Sequence, residues 1–332
     1  MSVLDVLATE EAGLLTEEAF PDWIGPMLAT LVDEPFSDQK WIFERKLDGE
    51  RCLAYLDGDE VRLMSRNRKD ITNTYPEVAD ALHRSGAPRC VLDGEIVAFT
   101  GNTTSFQRLQ SRMQIKDPDK ARKSNIPVYY YVFDMIHVDG QSTRGLPLRR
   151  RKAVLRRAIS FDDPIRFASH RNESGEAYYE EACRSGWEGL IAKDSTATYK
   201  STRSRDWLKF KCVGQQEFVV GGFTDPEGSR TDFGALLIGY HDDGDFVYAG
   251  KVGTGYDDET LETLGSELRR LEVSDPAFDR GDAPSGAHWV EPEVVIEVGF
   301  TEWTNQGRLR HPRYLGVRRD KDPGDVVRER PS

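Results

Sequence analysis

Short runs of apolar or alternating residues punctuate the first two thirds of the chain. "WIFERK" (41–46), "RCLAYL" (51–56), "VRLMS" (61–65), "CVLDGEIVAF" (90–99), "VYYYVFDMIHV" (128–138), "LIAKD" (190–194) and "WLKFKCV" (207–213) read as strands. Helical spacing is carried by "YPEVADALHRS" (75–85), whose Pro76 suits a first turn, and by "LRRRKAVLRRAI" (148–159), with Leu148, Val154, Leu155 and Ile159 on one side. Asp48-Gly49, between the first two strands, reads as the turn of a β-hairpin. Residues 1–25 form an acidic lead-in with room for one short helix. Past residue 213 the texture changes. Short strands at "EFVVGGF", "ALLIGYH", "DFVYAGKVG" and "VVIEVGFTEW" are separated by Gly- and Asp-rich turns, with one helix over 258–271. That pattern suits a small antiparallel barrel of the OB type. The prediction is an α+β chain of two domains, residues 1–213 and 214–332.

A chain of 332 residues exceeds one ordinary core, in keeping with two domains. Its apolar runs are too short to span a membrane, and the N-terminal "MSVLDVLATEEAGLL" carries acids where a secretion signal carries positive charge. A cytoplasmic protein is expected. Cys52, Cys90, Cys183 and Cys212 stand singly, without a CxxC pair, which predicts free thiols in a reducing compartment rather than a zinc site or a disulfide framework. The net charge of −12, taken as a sum, disfavours a polyanionic partner. The distribution matters more, because a basic face acts locally, over about a Debye length of ~10 Å in 0.1 M salt. "RRRKAVLRR" (149–157), "KSTRSRDWLKFK" (200–211) and "RLRHPRYLGVRRDK" (308–321) are all basic, so nucleic acid stays open as a partner.

Several side chains invite a chemical reading. On a strand, Trp207, Lys209 and Lys211 share one face and Leu208, Phe210 and Cys212 the other. The lysines make either a solvated edge or a rigid phosphate clamp. Asp93-Gly94-Glu95 inside a strand pattern is a turn or a close backbone approach with a carboxylate for a ribose or a metal. Phe133 and Asp134 interrupt an apolar strand, Phe133 as core or as a stacking platform. Glu188 follows a turn and could bind a hard cation. Arg66 closes a strand. No GxxxxGK[ST], strand-linked GxGxxG, HExxH or GxSxG is found, and six histidines show no ligand spacing. What remains is centred on Lys46, at the end of a strand, with Glu44 and Arg51 close by in sequence. A lysine becomes a nucleophile when its pKa falls from ~10.4 to ~7–8, roughly 4 kcal/mol of differential interaction. Lys209 and Lys211 are cations that could supply it.

The ordered set of these segments resembles a family. "KLDGER" is similar to the KxDGxR signature of the covalent nucleotidyltransferases, and "SRN", "LDGEIVAF", "YVFDMIHVDG", "WEGLIAKD", "WLKFK" and "GRLRHPRYLGVRRDK" follow in the family's order from residue 46 to 321. Within it the chain looks most like an ATP-dependent DNA ligase, in particular the ligase modules of prokaryotic end-joining ligases. The resemblance implies a nucleotidyltransferase (ATP-grasp-like) domain of antiparallel sheets followed by an OB-fold. It also implies Lys46 as the residue that takes AMP from ATP, passes it to the 5′-phosphate of nicked duplex DNA and so permits sealing. By the same resemblance Glu44 would contact the adenine, Phe133 stack on it, and Glu95 and Arg51 hold the ribose. Arg66, Lys209 and Lys211 would grip phosphates, Glu188 with Asp48 would hold magnesium or manganese, and Arg318, Asp320 and Lys321 would act on pyrophosphate. A hinge is expected near 212–215. Arg319 departs from the acidic residue often found there. A monomer is implied, working in DNA repair with Ku and a primase-like polymerase or nuclease. An RNA ligase or guanylyltransferase using the same lysine, and a non-catalytic nick- or end-binding module, are the competing readings.

Overall fold

The computed structural model describes residues 2–212, 214–226 and 231–329. They divide into two compact units, one ending at Cys212 and the other beginning beyond it.

The first unit is built on two sheets. One has strands β3 (Glu50–Asp57), β4 (Glu60–Ser65), β5 (Cys90–Thr100) and β6 (Val128–Val138) in the order β4-β3-β5-β6. Helices α1 (Pro76–Arg84), α2 (Phe106–Met113) and α3 (Leu148–Ala158) cover its outer face, where Leu56, Val78, Leu92, Leu109, Tyr130 and Val154 share one core. The other sheet runs β7-β2-β8-β9-β1, from β1 (Leu28–Leu31), β2 (Trp41–Lys46), β7 (His170–Asn172), β8 (Gly189–Asp194) and β9 (Arg203–Lys211). Helix α4 (Gly175–Arg184) seals its far side, its Tyr178 and Ala182 sharing a core with Phe43, Leu190 and Phe210. The near faces of the two sheets meet through Leu53, Val91, Phe133, Ile136 and Trp207. Pairing is antiparallel except for β1 on β9 and the short segment Ile165–Phe167 on β6.

Asp48-Gly49 does not turn a hairpin. β2 pairs with β7 and β8, whereas β3 pairs with β4 and β5, so the chain crosses here from one sheet to the other. Gly49 is needed for room: a Cβ there would lie 2.2 Å from the Ile96 carbonyl oxygen. The hairpin sits one turn later, at Gly58-Asp59, where Gly58 takes φ +61° and Asp57 pairs with Glu60. Helices α2 and α4 lie outside the elements predicted above, although Phe106, Leu109 and Met113 recur at helical spacing in α2 and are buried. Ser105 caps α2 through the Arg108 N–H.

The cysteine expectation is overturned as well. Cys183, at the end of α4, is joined to Cys212 in a disulfide across 29 residues, while Cys52 and Cys90 are buried thiols. Neither partner has a spacing signal; α4 packing on β8 and β9 brings them together.

The second unit has the strand-and-helix content of an OB-fold. β10 (Gly214–Phe223) is its spine, pairing through its first half with β13 (Val295–Phe300) and through its second with β11 (Leu236–Asp242). β12 (Asp245–Val252) follows β11, and β14 (Arg313–Val317) lies on β13. Among the described residues the sheet stays open between β12 and β14. There the Tyr314 N–H donates to the Thr254 carbonyl at 2.9 Å without a ladder. Helix α5 (Asp258–Arg270), capped by Asp257, buries Leu261, Leu264 and Leu268. Among the described residues no helix is long and apolar enough to cross a membrane.

Candidate active site

Register builds the site. Lys46 of β2 lies opposite Gly189 of β8, which lies opposite Lys211 of β9; Glu44, Ile191 and Lys209 form the next row, and Ile42, Lys193 and Trp207 the one after. Cross-strand neighbours share a face, so Glu44, Lys46, Lys193, Trp207, Lys209 and Lys211 all project from the inner side of this sheet. The opposing sheet contributes Arg51 and Glu95, which are register partners, and Phe133. Glu44, Lys46, Arg51, Glu95, Phe133 and Trp207 line one cleft of about 150 Å³, with Lys193 and Arg45.

At one end Glu44 is buried and accepts from two ammonium groups, Lys152 at 2.6 Å and Lys193 at 2.7 Å. Burial pushes the Glu44 carboxyl up, but the two cations outweigh it and hold it below its ordinary value. Burial likewise draws Lys193 down to about 8, with Lys152 adding to the effect and Glu44 opposing it. The Lys193 ammonium also lies 4.0 Å from the Phe133 ring centre and 4.1 Å from that of Trp207. Arg51 forks onto Asp93 at 2.5 and 2.7 Å, and its guanidinium carbon sits 4.6 Å from the Phe133 ring centre. Burial works against the Arg51 cation and Asp93 more than restores it, leaving Arg51 above its usual value. Tyr199 donates to the second Asp93 oxygen at 2.6 Å, so this carboxylate orients Arg51 rather than facing the cleft.

At the other end the Lys46 ammonium is in close contact with Glu188 Oε1. The Glu188 side chain is 5% exposed, and its Oε2 is buried with no hydrogen-bond partner. Trp207 Nε1 is likewise a buried donor without a partner. One orphan acceptor beside Lys46 and one orphan donor two rows away on the same sheet fit a ligand with a cationic or metal-bound end and an acceptor-bearing ring. No group of three or more potential metal-ligating side chains gathers among the described residues, so a cation here would need oxygens from its ligand, as magnesium commonly does.

The remaining predicted residues lie elsewhere. Asp48 accepts the Phe106 N–H at 3.1 Å, so its carboxylate is engaged at the start of α2. Arg66 is half-buried just beyond β4. In the second unit Arg318 is buried and committed to Asp320 (2.8 and 2.9 Å) and Glu297 (3.0 Å), Lys321 pairs with Glu217 at 2.9 Å, and Arg319 meets Glu267. "RRRKAVLRR" is only in part a solvated basic face: Arg151 is buried on Asp134 and Lys152 on Glu44, whereas Arg149, Arg150, Arg156 and Arg157 are exposed, Arg150 reaching Glu11. Lys152, Asp93, Tyr199 and Trp207 are site residues that sequence reasoning did not assign. A signal existed for Lys152, which stands four after Leu148 and three before Leu155 on the apolar side of its helix.

Comparison with known proteins adds a family. The model described as "ATP dependent DNA ligase domain" matches residues 26–211, and "ATP dependent DNA ligase C terminal region" matches residues 229–321. The "Multifunctional non-homologous end joining protein LigD" of Pseudomonas aeruginosa is 35% identical over 325 residues, covering 94% of this chain and 37% of that protein. The "DNA ligase" of Natronomonas pharaonis is 33% identical over 295 residues, covering 85% of this chain and 52% of that protein. The chain thus spans about a third to a half of the length of these relatives. Among solved structures, "mycobacterial DNA ligase D complexed with ATP and MES" superposes with a TM-score of 0.66 at 32% identity, covering 92% of this chain and 98% of that one.

Proposed function

The chain belongs to the ATP-dependent DNA ligase family, and from that premise we propose that Lys46 is the residue that carries AMP. The observation that carries this is the cleft itself. One strand-end lysine opens onto a pocket whose walls are Glu44, Arg51, Glu95, Phe133 and Trp207. In the first step the Lys46 Nζ–Pα bond forms as the bond from Pα to the bridging oxygen breaks, and pyrophosphate leaves. The amine must shed a proton, and Glu188 Oε1 touches it. AMP then passes to the 5′-phosphate of a nick, and the 3′-hydroxyl displaces it to seal the strand. Phe133 lines the cleft beside Arg51 and Lys193 and suits adenine as an aromatic stacking partner. Glu44 at the pocket's end offers an ionised acceptor to an exocyclic amine, and Glu95 a carboxylate to the ribose.

Lys209 and Lys211, on the same face as Lys46, suit the phosphates, with Arg66 as a further cation. Glu188 Oε2 fits magnesium or manganese, which when bound would neutralise charge on the phosphate oxygens; Asp48, turned to α2, is left out of that set. The names of the relatives support non-homologous end joining as the pathway; as our own reading we take nicked duplex DNA as the substrate, Ku and a polymerase or nuclease as partners, and the cytoplasm as the location. We take residues 1–213 as the adenylation domain and 214–332 as the OB domain, hinged near 212–215.

The test is incubation of the chain with labelled ATP, GTP and NAD in parallel, followed by nick sealing. A covalent AMP adduct from ATP, lost in Lys46→Ala with the fold intact, is expected. An adduct formed from GTP alone, or one that survives in Lys46→Ala, refutes the assignment.

A further inference from the structure

Several buried or half-buried arginines of the first unit come with a carboxylate: Arg51 with Asp93, Arg112 with Glu77, Arg144 with Glu18 and Arg151 with Asp134. Arg45 does not. It is half-buried beside Lys46 and lines the same cleft, yet no carboxylate among the described residues reaches it. Its guanidinium carbon lies 4.4 Å from the Trp187 ring centre and 5.8 Å from that of Phe99. One Nη donates to the Asn102 carbonyl at 3.4 Å, a long bond, and Nε is buried with no partner. Burial pulls Arg45 below its usual pKa, and the groups that oppose this are Tyr131 and Tyr178, not an acid. A cation taken partly out of water and left without a counter-charge is a costly arrangement unless an anion arrives to meet it.

The anion can be specified by chemistry. A guanidinium steadied by ring faces keeps its fork of N–H donors, which matches phosphate oxygens two at a time. Trp187, the ring nearest to it, is the residue before Glu188, so the support of Arg45 and the partner of Lys46 share one short segment. We propose that Arg45 is a phosphate-binding residue of this cleft, held ready by Trp187 and Phe99 for a phosphate that comes with the substrate. This rests on the ligase reading, in which two phosphates come to Lys46: the tail of ATP and the 5′-phosphate of the nick. The shared chemistry is a phosphate dianion or diester, and the experiment separates the sources.

The full-length chain is compared with Arg45→Gln and Arg45→Lys. Three quantities are measured: the rate of lysyl-AMP formation from ATP, the rate of AMP transfer from adenylated enzyme to a nicked duplex, and the rise in melting temperature caused by inorganic pyrophosphate. Arg45→Gln should lower at least one of the two rates by 10-fold or more, with a melting temperature no lower than the parent's in the absence of ligand, and Arg45→Lys, which keeps the charge but not the fork, should recover part of the loss. A fall in lysyl-AMP formation, with a smaller pyrophosphate shift, identifies the ATP tail; a fall in transfer alone identifies the nick. Both rates within twofold of the parent overturn the proposal. So does an Arg45→Lys chain as slow as Arg45→Gln with a lowered melting temperature, which would make the stacked guanidinium a packing group. Should the parent form no lysyl-AMP, the ligase reading fails. Arg45 is then judged by the pyrophosphate shift: one that is absent in Arg45→Gln supports it, and one of equal size in both chains overturns it.

Discussion

Substituting Gly49 tests whether the crossover beside Lys46 has been read correctly. A Cβ on Gly49 would stand 2.2 Å from the Ile96 carbonyl oxygen and 2.8 Å from Val97 Cγ1. Ordinary contact begins near 3.4 Å, so the backbone of β5 or of residue 49 must give by about 1 Å. Overpacking costs typically ~1–3 kcal/mol, and a main-chain oxygen in a paired strand yields less than a side chain. Gly49→Ala should therefore destabilise by about 3 kcal/mol, or roughly 6–12 °C in melting temperature for a unit of this size. Gly58→Ala is the control. Gly58 takes φ +61° with nothing within 4 Å of a new Cβ, so its cost is the left-handed conformation alone, about 1 kcal/mol. Asn tolerates that conformation, so Gly58→Asn should recover part of the loss, whereas Gly49→Asn should be no better than Gly49→Ala. Because Lys46 lies three residues upstream, a 1 Å shift should slow lysyl-AMP formation by about 100-fold in Gly49→Ala and leave it unchanged in Gly58→Ala. Urea unfolding and single-turnover adenylation read both. A Gly49→Ala chain within ~0.5 kcal/mol of the parent and equally fast would refute the close-approach argument; recovery by Gly49→Asn would restore a left-handed turn.

Further outcomes follow from groups elsewhere in the first unit. Lys193 has a folded pKa of about 8 against 10.5, so between these values the unfolded chain holds the extra proton and stability rises with pH. Relative to Lys193→Met, the parent should gain about 2 kcal/mol from pH 7 to 9.5; equal increments in urea unfolding would contradict the assignment. Asp134→Asn leaves the buried Arg151 guanidinium without its counter-ion and should cost about 3–5 kcal/mol, whereas a loss under ~1 kcal/mol would mean that the pair is dispensable. Closing a loop of the 29-residue span between Cys183 and Cys212 is worth about 3.5 kcal/mol in the chain-entropy model. A dithiol should then lower the melting temperature by roughly 7–14 °C, and Cys183→Ser with Cys212→Ser should abolish that response. Four titratable thiols in the untreated chain would exclude the bond.

Much of the site was legible because its residues lie on strands, where period-two alternation says which side chains travel together. Glu44 with Lys46, and Trp207 with Lys209 and Lys211, could be put on common faces before any pairing was known. Pairing itself is non-local, and there the sequence misled. Asp-Gly between two strands is a local hairpin signal, and nothing near it announces that Gly49 must pass under Ile96. The same limit hid Cys183–Cys212, which depends on how α4 docks, and the two buried cations of α3. Arg151 and Lys152 look like part of a basic stripe until the acids that neutralise them, Asp134 and Glu44, arrive from distant strands.

The crossing at Asp48-Gly49 also sets an order of events. The strand that carries Lys46 is an interior one, and its two neighbours, His170–Asn172 and Gly189–Asp194, are made long after it. A growing chain that has completed β3 to β6 can pair those four strands among themselves, but β2 then has both edges bare. Such an intermediate exposes an open strand edge and is prone to aggregate. Lys46 gains its pocket when residues 189–211 join it. Truncation before that point should yield an inert and poorly soluble product, and the reactive lysine is among the last parts of the first unit to be held in place.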